Sequence, residues 1–186
     1  LVGSEMCIRD SYILFEDKEI IVCRKPAGIA VQNARIGAMD LESSLKNYLA
    51  MQDGGGRRIP YLAVIHRLDQ PVEGILVFGK TPEAAKSLSA QITAGKMEKI
   101  YLAVTYGKQA EAGKKEKVLE DYLKKDGKSN TSSVVNAHTP GAKKARLSYE
   151  VLGEAVDAIS GKKKWLLRIH PVSYTHLRAH ETSAHL

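Results

Sequence analysis

The sequence predicts an α+β fold with one mixed, mostly antiparallel sheet flanked by helices. Apolar runs of about four to eight residues recur along the chain between short polar links, which is typical of neighbouring strands. Only two segments carry the 3.6-residue spacing of a helix. Because parallel pairing needs a long crossover, the short links favour antiparallel pairing among about eight strands.

The first predicted element is a β-hairpin. In YILFEDKEIIVCRKPAG (residues 12–28), two apolar runs flank the polar residues 16–18, and Pro26 with Gly28 ends the second strand. The following IAVQ (29–32) predicts a short further strand. This arrangement places KPAG directly at the end of the second strand.

Capping residues and apolar spacing predict two helices. The first spans residues 40–51 and begins at Asp40, a preferred N-cap. The second lies in TPEAAKSLSAQITAGK (81–96), with Thr81 as N-cap and Gly95 as its end. The buried stripes are predicted to be Leu41, Leu45, Tyr48 and Leu49 in the first helix and Ala85, Leu88 and Ile92 in the second.

The remaining apolar runs predict strands. YLAVIHRLD (61–69) is predicted to be a strand that ends in a turn at Gln70-Pro71, and GILVFGK (74–80) is the next strand. No internal repeat is present. Further strands are predicted in KIYLAVTYG (99–107), VLEDYLKK (118–125), SSVVNA (132–137), RLSYEVL (146–152) and KKWLLRIH (163–170).

The two ends of the chain can be one DNA element read from opposite strands. One back-translation of LVGSEMCIRD, the first ten residues, has a reverse complement that encodes VSYTHLRAHE (172–181). The element resembles an adapter used in sequencing libraries. We therefore predict that residues 1–11 and 172–186 are adapter-derived and that residues 12–171 form one domain, incomplete at its C-terminus.

Charge points to a polyanionic partner. The formal net charge is +7, and nucleic acid is the first candidate for such a chain. The alternative is a set of solvated loops that keep the protein soluble. The basic residues gather in GKKEK (113–117), KKDGK (124–128), GAKKAR (141–146) and GKKKW (161–165).

Cysteine and histidine usage narrows the class of protein. Cys7 lies in the adapter-derived segment, and Cys23 lies inside the apolar run EIIVC, where a buried thiol is expected. One remaining cysteine cannot form an internal disulfide, so we expect a cytoplasmic location. No apolar stretch is long enough to cross a membrane. His176 and His180 have zinc-ligand spacing but lie in the adapter-derived segment, so no metal is expected.

The stretch HRLD (66–69) carries the clearest candidate chemistry. If it lies on a strand, Arg67 and Asp69 share one face while His66 and Leu68 share the other. A carboxylate and a guanidinium then face the same space at a strand end. The residues alone leave two readings open, a structural ion pair and a catalytic carboxylate.

Three motifs in one order resemble the RluA-like pseudouridine synthases. KPAGIAVQ (25–32) is followed by HRLDQPVEGILVFGKT (66–81) and then by KIYLA (99–103). The resemblance covers essentially all of residues 12–171. It implies an isomerase that converts uridines of ribosomal RNA or tRNA to pseudouridine without any cofactor, with RNA as partner and a monomeric catalytic domain.

The resemblance also implies roles for single residues. Asp69 matches the catalytic aspartate, as nucleophile or base. Arg67 matches the arginine that enters the RNA where the target base leaves the stack. Tyr101 matches the tyrosine that stacks on uracil. Lys25 and Lys99 are expected to contact RNA phosphates or the scaffold, and His66, Leu68 and Gly74 are expected to be structural parts of the motif.

The sequence departs from the family pattern at two places. Glu73 stands where many members carry serine. The family also continues after LLRIHP with an arginine-containing motif that pairs with the catalytic aspartate, and His176 in YTHLR does not match it. We therefore expect this chain as given to be inactive. The alternative function is a catalytically silent RNA-binding module on the same scaffold.

Overall fold

The computed structural model describes residues 12–33, 39–54, 59–106, 116–127 and 132–171. The chain divides between Met97 and Glu98 into two compact units, each described by itself below. The predicted α+β class and its antiparallel strands are confirmed. The described strands form two sheets rather than one, and every described pairing is antiparallel. Among the described residues, no helix is long and apolar enough to cross a membrane.

The first unit contains a four-stranded sheet in the order β1-β2-β4-β3. The predicted hairpin is confirmed as its first two strands. The central strands pair from Ile20 opposite Gly79 to Lys25 opposite Gly74, so the KPAG and HRLD segments meet at one end of this sheet. The strands are β1 (Ile13–Glu16), β2 (Ile20–Lys25), β3 (Ala63–Val64) and β4 (Gly74–Gly79).

Both predicted helices are confirmed, with the predicted caps. Helix α1 (Leu41–Gln52) begins at Asp40, whose carboxylate accepts a 2.7 Å hydrogen bond from the Ser43 N–H. Helix α2 (Pro82–Thr93) begins at Thr81, whose hydroxyl accepts from a backbone N–H in the first turn. In α2 only Ile92 of the predicted stripe is fully buried; Ala85 and Leu88 are half-buried.

One core holds the first unit together. Burial raises the pKa of the Cys23 thiol to about 11, so this cysteine is the inert core side chain that the sequence predicted. The side chains of this core come from β2, β4, α1 and the segments between them. The core therefore fixes the strands that carry the HRLD loop. The buried residues are Ile21, Cys23, Val31, Leu41, Leu45, Leu49, Leu62, Leu76 and Phe78.

Residues 29–32 were wrongly predicted to be a strand. Val31 is buried, as its apolar character suggests, but the segment pairs with no strand. Instead, the carbonyls of Ala30 and Val31 accept hydrogen bonds of 3.0 and 3.1 Å from the N–H groups of Leu41 and Glu42. These N–H groups at the start of α1 have no partner within the helix, so the segment serves the helix end rather than a sheet.

The strand predicted over residues 61–69 is confirmed only at Ala63 and Val64. Beyond them the chain leaves the sheet, and the Val77 N–H of β4 donates to Nε2 of His66 over 3.4 Å. HRLD therefore lies in a loop. The strand alternation that assigned Arg67 and Asp69 to one face does not apply to it.

The second unit contains a five-stranded sheet in the order β5-β9-β8-β6-β7. Its buried cluster consists of Tyr149, Val151, Trp165 and Leu167, which lie on the neighbouring strands β8 and β9. All five strands overlap predicted runs, but only β5 and β7 stay within them. Strands β6 and β9 are each one residue longer than predicted, and β8 extends well beyond the predicted 146–152 at both ends. The strands are β5 (Tyr101–Tyr106), β6 (Lys117–Lys125), β7 (Ser132–Val134), β8 (Lys143–Val156) and β9 (Lys163–Pro171).

Candidate active site

The HRLD loop joins β3 to β4 at one end of the first sheet. Leu68 packs against the core of the first unit, Arg67 is exposed and Asp69 is half-buried. The Asp69 carbonyl accepts a 3.1 Å hydrogen bond from the Val72 N–H, which closes the turn predicted at Gln70-Pro71. The loop thus has an apolar anchor, one exposed cation and one carboxylate with restricted access to water.

Gln70 ties this loop to the KPAG segment. Its carbonyl accepts a 2.8 Å bond from the Gly28 N–H, and its side-chain amide donates to the Gly28 carbonyl over 2.9 Å. Gly28 has a φ of +88°, a conformation that side chains with a Cβ rarely adopt. The glycine of KPAG therefore allows the backbone to meet Gln70 directly, next to Asp69.

Lys25 is a second support for the same loop. Its side chain is fully buried, and Nζ donates to the carbonyls of Ile29 at 2.7 Å, Pro26 at 3.0 Å and Gln70 at 3.1 Å. An ammonium group has three N–H donors, and all three are used here. In this structure Lys25 therefore makes scaffold contacts, one of the two roles expected for it, and these contacts use its three donors.

The charge of Lys25 also acts on the loop. Burial lowers the pKa of Lys25, and the carboxylates of Asp69 and Glu73 oppose that shift. Lys25 and these two carboxylates therefore attract one another across the loop. A catalytic carboxylate must be ionised to act as nucleophile or base.

Glu73 lies at the entrance to β4. Its Oε1 is 3.2 Å from Nε of Arg24, and the two side chains are 54% and 53% exposed. Arg24 immediately precedes Lys25 on β2, so at this sheet end the buried cation lies on one face of the strand and the exposed cation on the other. Sequence reasoning singled out Glu73 but missed Arg24, because the contact joins two strands distant in sequence.

Gly74 leaves room for Leu68. A Cβ added to Gly74 would lie 2.8 Å from Cδ1 of Leu68, closer than nonbonded carbons approach. Leu68 is held in the core beside it. This contact gives a physical reason for the structural roles predicted for both residues.

Gly74→Ala should displace Leu68 and lower the free energy of unfolding by about 1–3 kcal/mol, the usual cost of overpacking. Urea unfolding measures the effect. Gly127→Ala is the matched control, because an added Cβ there meets nothing within 4 Å. Equal stability of the two variants would show that Leu68 moves aside freely.

Tyr101 and Lys99 belong to the second unit. Tyr101 is half-buried, begins β5 and pairs with Ile169, on the sheet face shared by Ala103 and Thr105. Lys99 lies just before the strand and is half-buried. The predicted stacking role of Tyr101 and the predicted phosphate contact of Lys99 stay predictions.

Acidic neighbours partly neutralise the basic segments of the second unit. Glu120 on β6 lies 2.7 Å from Lys144 and 3.9 Å from Arg146 of GAKKAR. At the β8–β9 turn, Lys164 lies 3.5 Å from Asp157. These segments therefore carry less uncompensated charge than their composition suggests. The segment 107–115, with most of GKKEK, lies outside the described residues.

Metal ligands do not cluster in the part of the chain that the structure describes: no three His, Cys, Asp or Glu side chains there could hold an ion together. His176 and His180 lie outside it. The functional groups of the candidate site are Asp69, Arg67 and the groups that hold their loop.

The sequence of the chain matches the family model of the RNA pseudouridylate synthases over residues 19–179. The chain belongs to this family. The match includes HRLD, KPAG and KIYLA, and it continues past residue 171, where we predict that the adapter-derived segment begins. Both predicted adapter boundaries stay predictions.

Curated relatives are similar in sequence to this chain over part of their length. The chain is 34% identical over 101 residues to ribosomal large subunit pseudouridine synthase D of Xanthomonas campestris pv. campestris, covering 54% of this chain and 30% of that protein. It is 36% identical over 101 residues to tRNA pseudouridine synthase C of Haemophilus ducreyi, covering 54% of this chain and 39% of that protein. The chain thus matches less than half the length of these relatives.

Solved structures support the fold. Human RNA pseudouridylate synthase domain containing 4 superposes with a TM-score of 0.65 at 20% identity, covering 89% of this chain and 60% of that chain. Human RNA pseudouridylate synthase domain containing 1 gives the same TM-score at 16% identity. At these identities the likeness shows the fold alone.

Proposed function

We propose that this chain is the catalytic part of an RNA pseudouridine synthase that isomerises uridines in ribosomal RNA or tRNA. The observation that carries the proposal is Asp69, a half-buried carboxylate in a loop held by Leu68, Gln70 and the buried ammonium of Lys25. Such rigidity keeps a catalytic group in position without cost at the moment of reaction.

The reaction exchanges one glycosidic bond for another. The bond from N1 of uracil to C1′ of ribose breaks, C5 of the base bonds to C1′, the proton on C5 is lost and N1 gains a proton. Atoms and electrons balance without water, nucleotide or redox partner, so no cofactor is required. Asp69 acts as nucleophile on the nucleoside or as base, and both roles need its ionised form.

The resemblance to the family implies roles for two other side chains, one in each unit. Arg67 is exposed on the loop next to Asp69 and fills the space that the flipped uridine leaves in the RNA. Tyr101 stacks on the uracil ring, a contact worth about 1–3 kcal/mol per base. We further propose that the protein works as a monomer in the cytoplasm. The location is supported by Cys23, the one cysteine among the described residues, which is buried and free.

A catalytically silent RNA-binding module is the second candidate. It shares the described scaffold with the enzyme. The two candidates differ only in turnover. RNA binding by itself therefore does not separate them.

Tritium release from RNA labelled at C5 of uridine tests the proposed function. The substrates are unmodified transcripts of tRNA and of large-subunit ribosomal RNA. We expect release by this chain extended to the length of its relatives, and none by residues 1–186 alone. Release by residues 1–186 at the extended chain's rate would contradict the predicted inactivity. Binding without release by the extended chain would support the silent module.

A further inference from the structure

The ion pair between Arg24 and Glu73 lies at the sheet end that carries the HRLD loop. Arg24 is the next residue along β2 from Lys25, and Glu73 is four residues from Asp69. Both side chains are about half exposed. Exposed pairs of this kind contribute only about 0–1 kcal/mol to stability, so stability does not account for the pair.

The contact leaves most of the guanidinium available. Glu73 Oε1 approaches Nε of Arg24 at 3.2 Å. A guanidinium has five N–H donors in a fixed fork, and only one of them lies on Nε. Held from this side, and with no other partner among the described side chains, Arg24 keeps the donors on its two terminal nitrogens for another acceptor. Phosphate oxygens are the acceptors that this fork fits best.

An RNA strand entering the site meets two carboxylates, those of Asp69 and Glu73. The buried Lys25 cannot contact the strand, because its side chain has no exposed surface and its donors are used. Arg24 is the exposed cation next to it. Its charge offsets the repulsion that a phosphate would meet at the rim of the loop.

We propose that Arg24 binds an RNA phosphate beside the target nucleotide, and that Glu73 orients the Arg24 guanidinium for this contact. The inference rests on the proposed function and adds to it a substrate-binding residue that the sequence motifs do not include. It also gives a role to Glu73. The carboxylate of Glu73, at a position where many family members carry serine, fixes the orientation of the Arg24 side chain.

Affinity for RNA, measured against salt concentration, tests the contact. The probes are fluorescently labelled transcripts of tRNA and of large-subunit ribosomal RNA, bound to residues 1–186. We expect Arg24→Ala to weaken binding about tenfold, as for loss of a charge-assisted hydrogen bond. The slope of log affinity against log salt should fall by about one, as for loss of one phosphate contact.

Two further variants make the result specific. Arg24→Lys keeps the charge but loses the fork, so the salt slope should be retained while affinity falls. Arg168→Ala is the matched control, because Arg168 pairs with Glu150 across β8 and β9 at 3.0 Å with 44% and 35% exposure. It should change neither quantity. Circular dichroism verifies that each variant is folded.

Three outcomes overturn the inference. Unchanged affinity and slope in Arg24→Ala, with the unsubstituted chain binding RNA, would remove the contact and leave the proposed function intact. Equal losses in Arg24→Ala and Arg168→Ala would mean a general effect of charge. If neither the unsubstituted chain nor its extended form binds or turns over either RNA, the proposed function fails and the inference fails with it.

Discussion

Asp69→Asn is expected to reduce tritium release by at least about a hundredfold in the chain extended to the length of its relatives. An amide has nearly the shape of a carboxylate but can act neither as nucleophile nor as base. The fold should be retained, because asparagine keeps the size of the side chain and the main chain of Asp69 still accepts from the Val72 N–H at 3.1 Å. Initial rates with tRNA and ribosomal RNA transcripts measure the effect.

The control for this variant is Asp53→Asn. Asp53 is an exposed aspartate of the same unit that follows α1, and its substitution should leave tritium release and RNA affinity unchanged. Asp69→Asn should also keep its RNA affinity, since the carboxylate makes no attractive contact with a phosphate. Equal release by the unsubstituted chain and Asp69→Asn would exclude Asp69 as the catalytic group.

The parts of the fold that the sequence predicted depend on neighbours in the chain. Asp40 and Thr81 mark the starts of α1 and α2 because a cap contacts residues two or three positions ahead. The turn at Gln70-Pro71 is equally local. Apolar periodicity then places most strands, because a strand shows its buried face by alternation.

The wrong strand predictions lie where backbone groups form hydrogen bonds with residues distant in the sequence. Residues 29–32 are apolar enough for a strand, but their carbonyls accept from the start of α1. Residues 65–69 do not continue the pairing of β3 with β4, and Gln70, which follows them, bonds to Gly28 of the KPAG segment. Periodicity reports that a segment is buried but not which groups receive its hydrogen bonds. Resemblance to the family, rather than alternation, is what pointed to Asp69.

Lys25 shows the same limit for a single side chain. A lysine in a basic protein reads as a cation for RNA, yet Nζ is buried against three carbonyls, one of them 45 positions away at Gln70. Neither the charge of Lys25 nor the spacing of the motifs predicts the contact with Gln70. We nevertheless expect this contact to matter for function, since it joins the KPAG segment to the residue after Asp69.

Lys25→Met is therefore expected to affect both stability and activity. Methionine fills a similar volume but donates no hydrogen bond, so the carbonyls of Pro26, Ile29 and Gln70 lose their common donor. Each buried acceptor left without a partner costs about 1–3 kcal/mol, and the relief from burying a charge offsets part of this. We expect the free energy of unfolding to fall by about 2–4 kcal/mol, measured by urea unfolding.

The effect of this variant should depend on pH with a definite sign. Burial lowers the pKa of Lys25 below 10.5, its value in the unfolded chain. Between the lowered pKa and 10.5, the unfolded state binds a proton that the folded state has lost, so stability from this group rises with pH. The stability difference between the unsubstituted chain and Lys25→Met should therefore widen as pH approaches 10.5.

Lys18→Met is the control for both measurements. Lys18 is exposed in the turn between β1 and β2, and its substitution should change stability by less than about 0.5 kcal/mol. In the extended chain, folded Lys25→Met should also release tritium more slowly. Gln70 loses one of the three hydrogen bonds that fix the loop beside Asp69, and a small misplacement of a catalytic group is costly. A folded Lys25→Met variant with unchanged stability and turnover would mean that the Gly28–Gln70 hydrogen bonds position Asp69 alone.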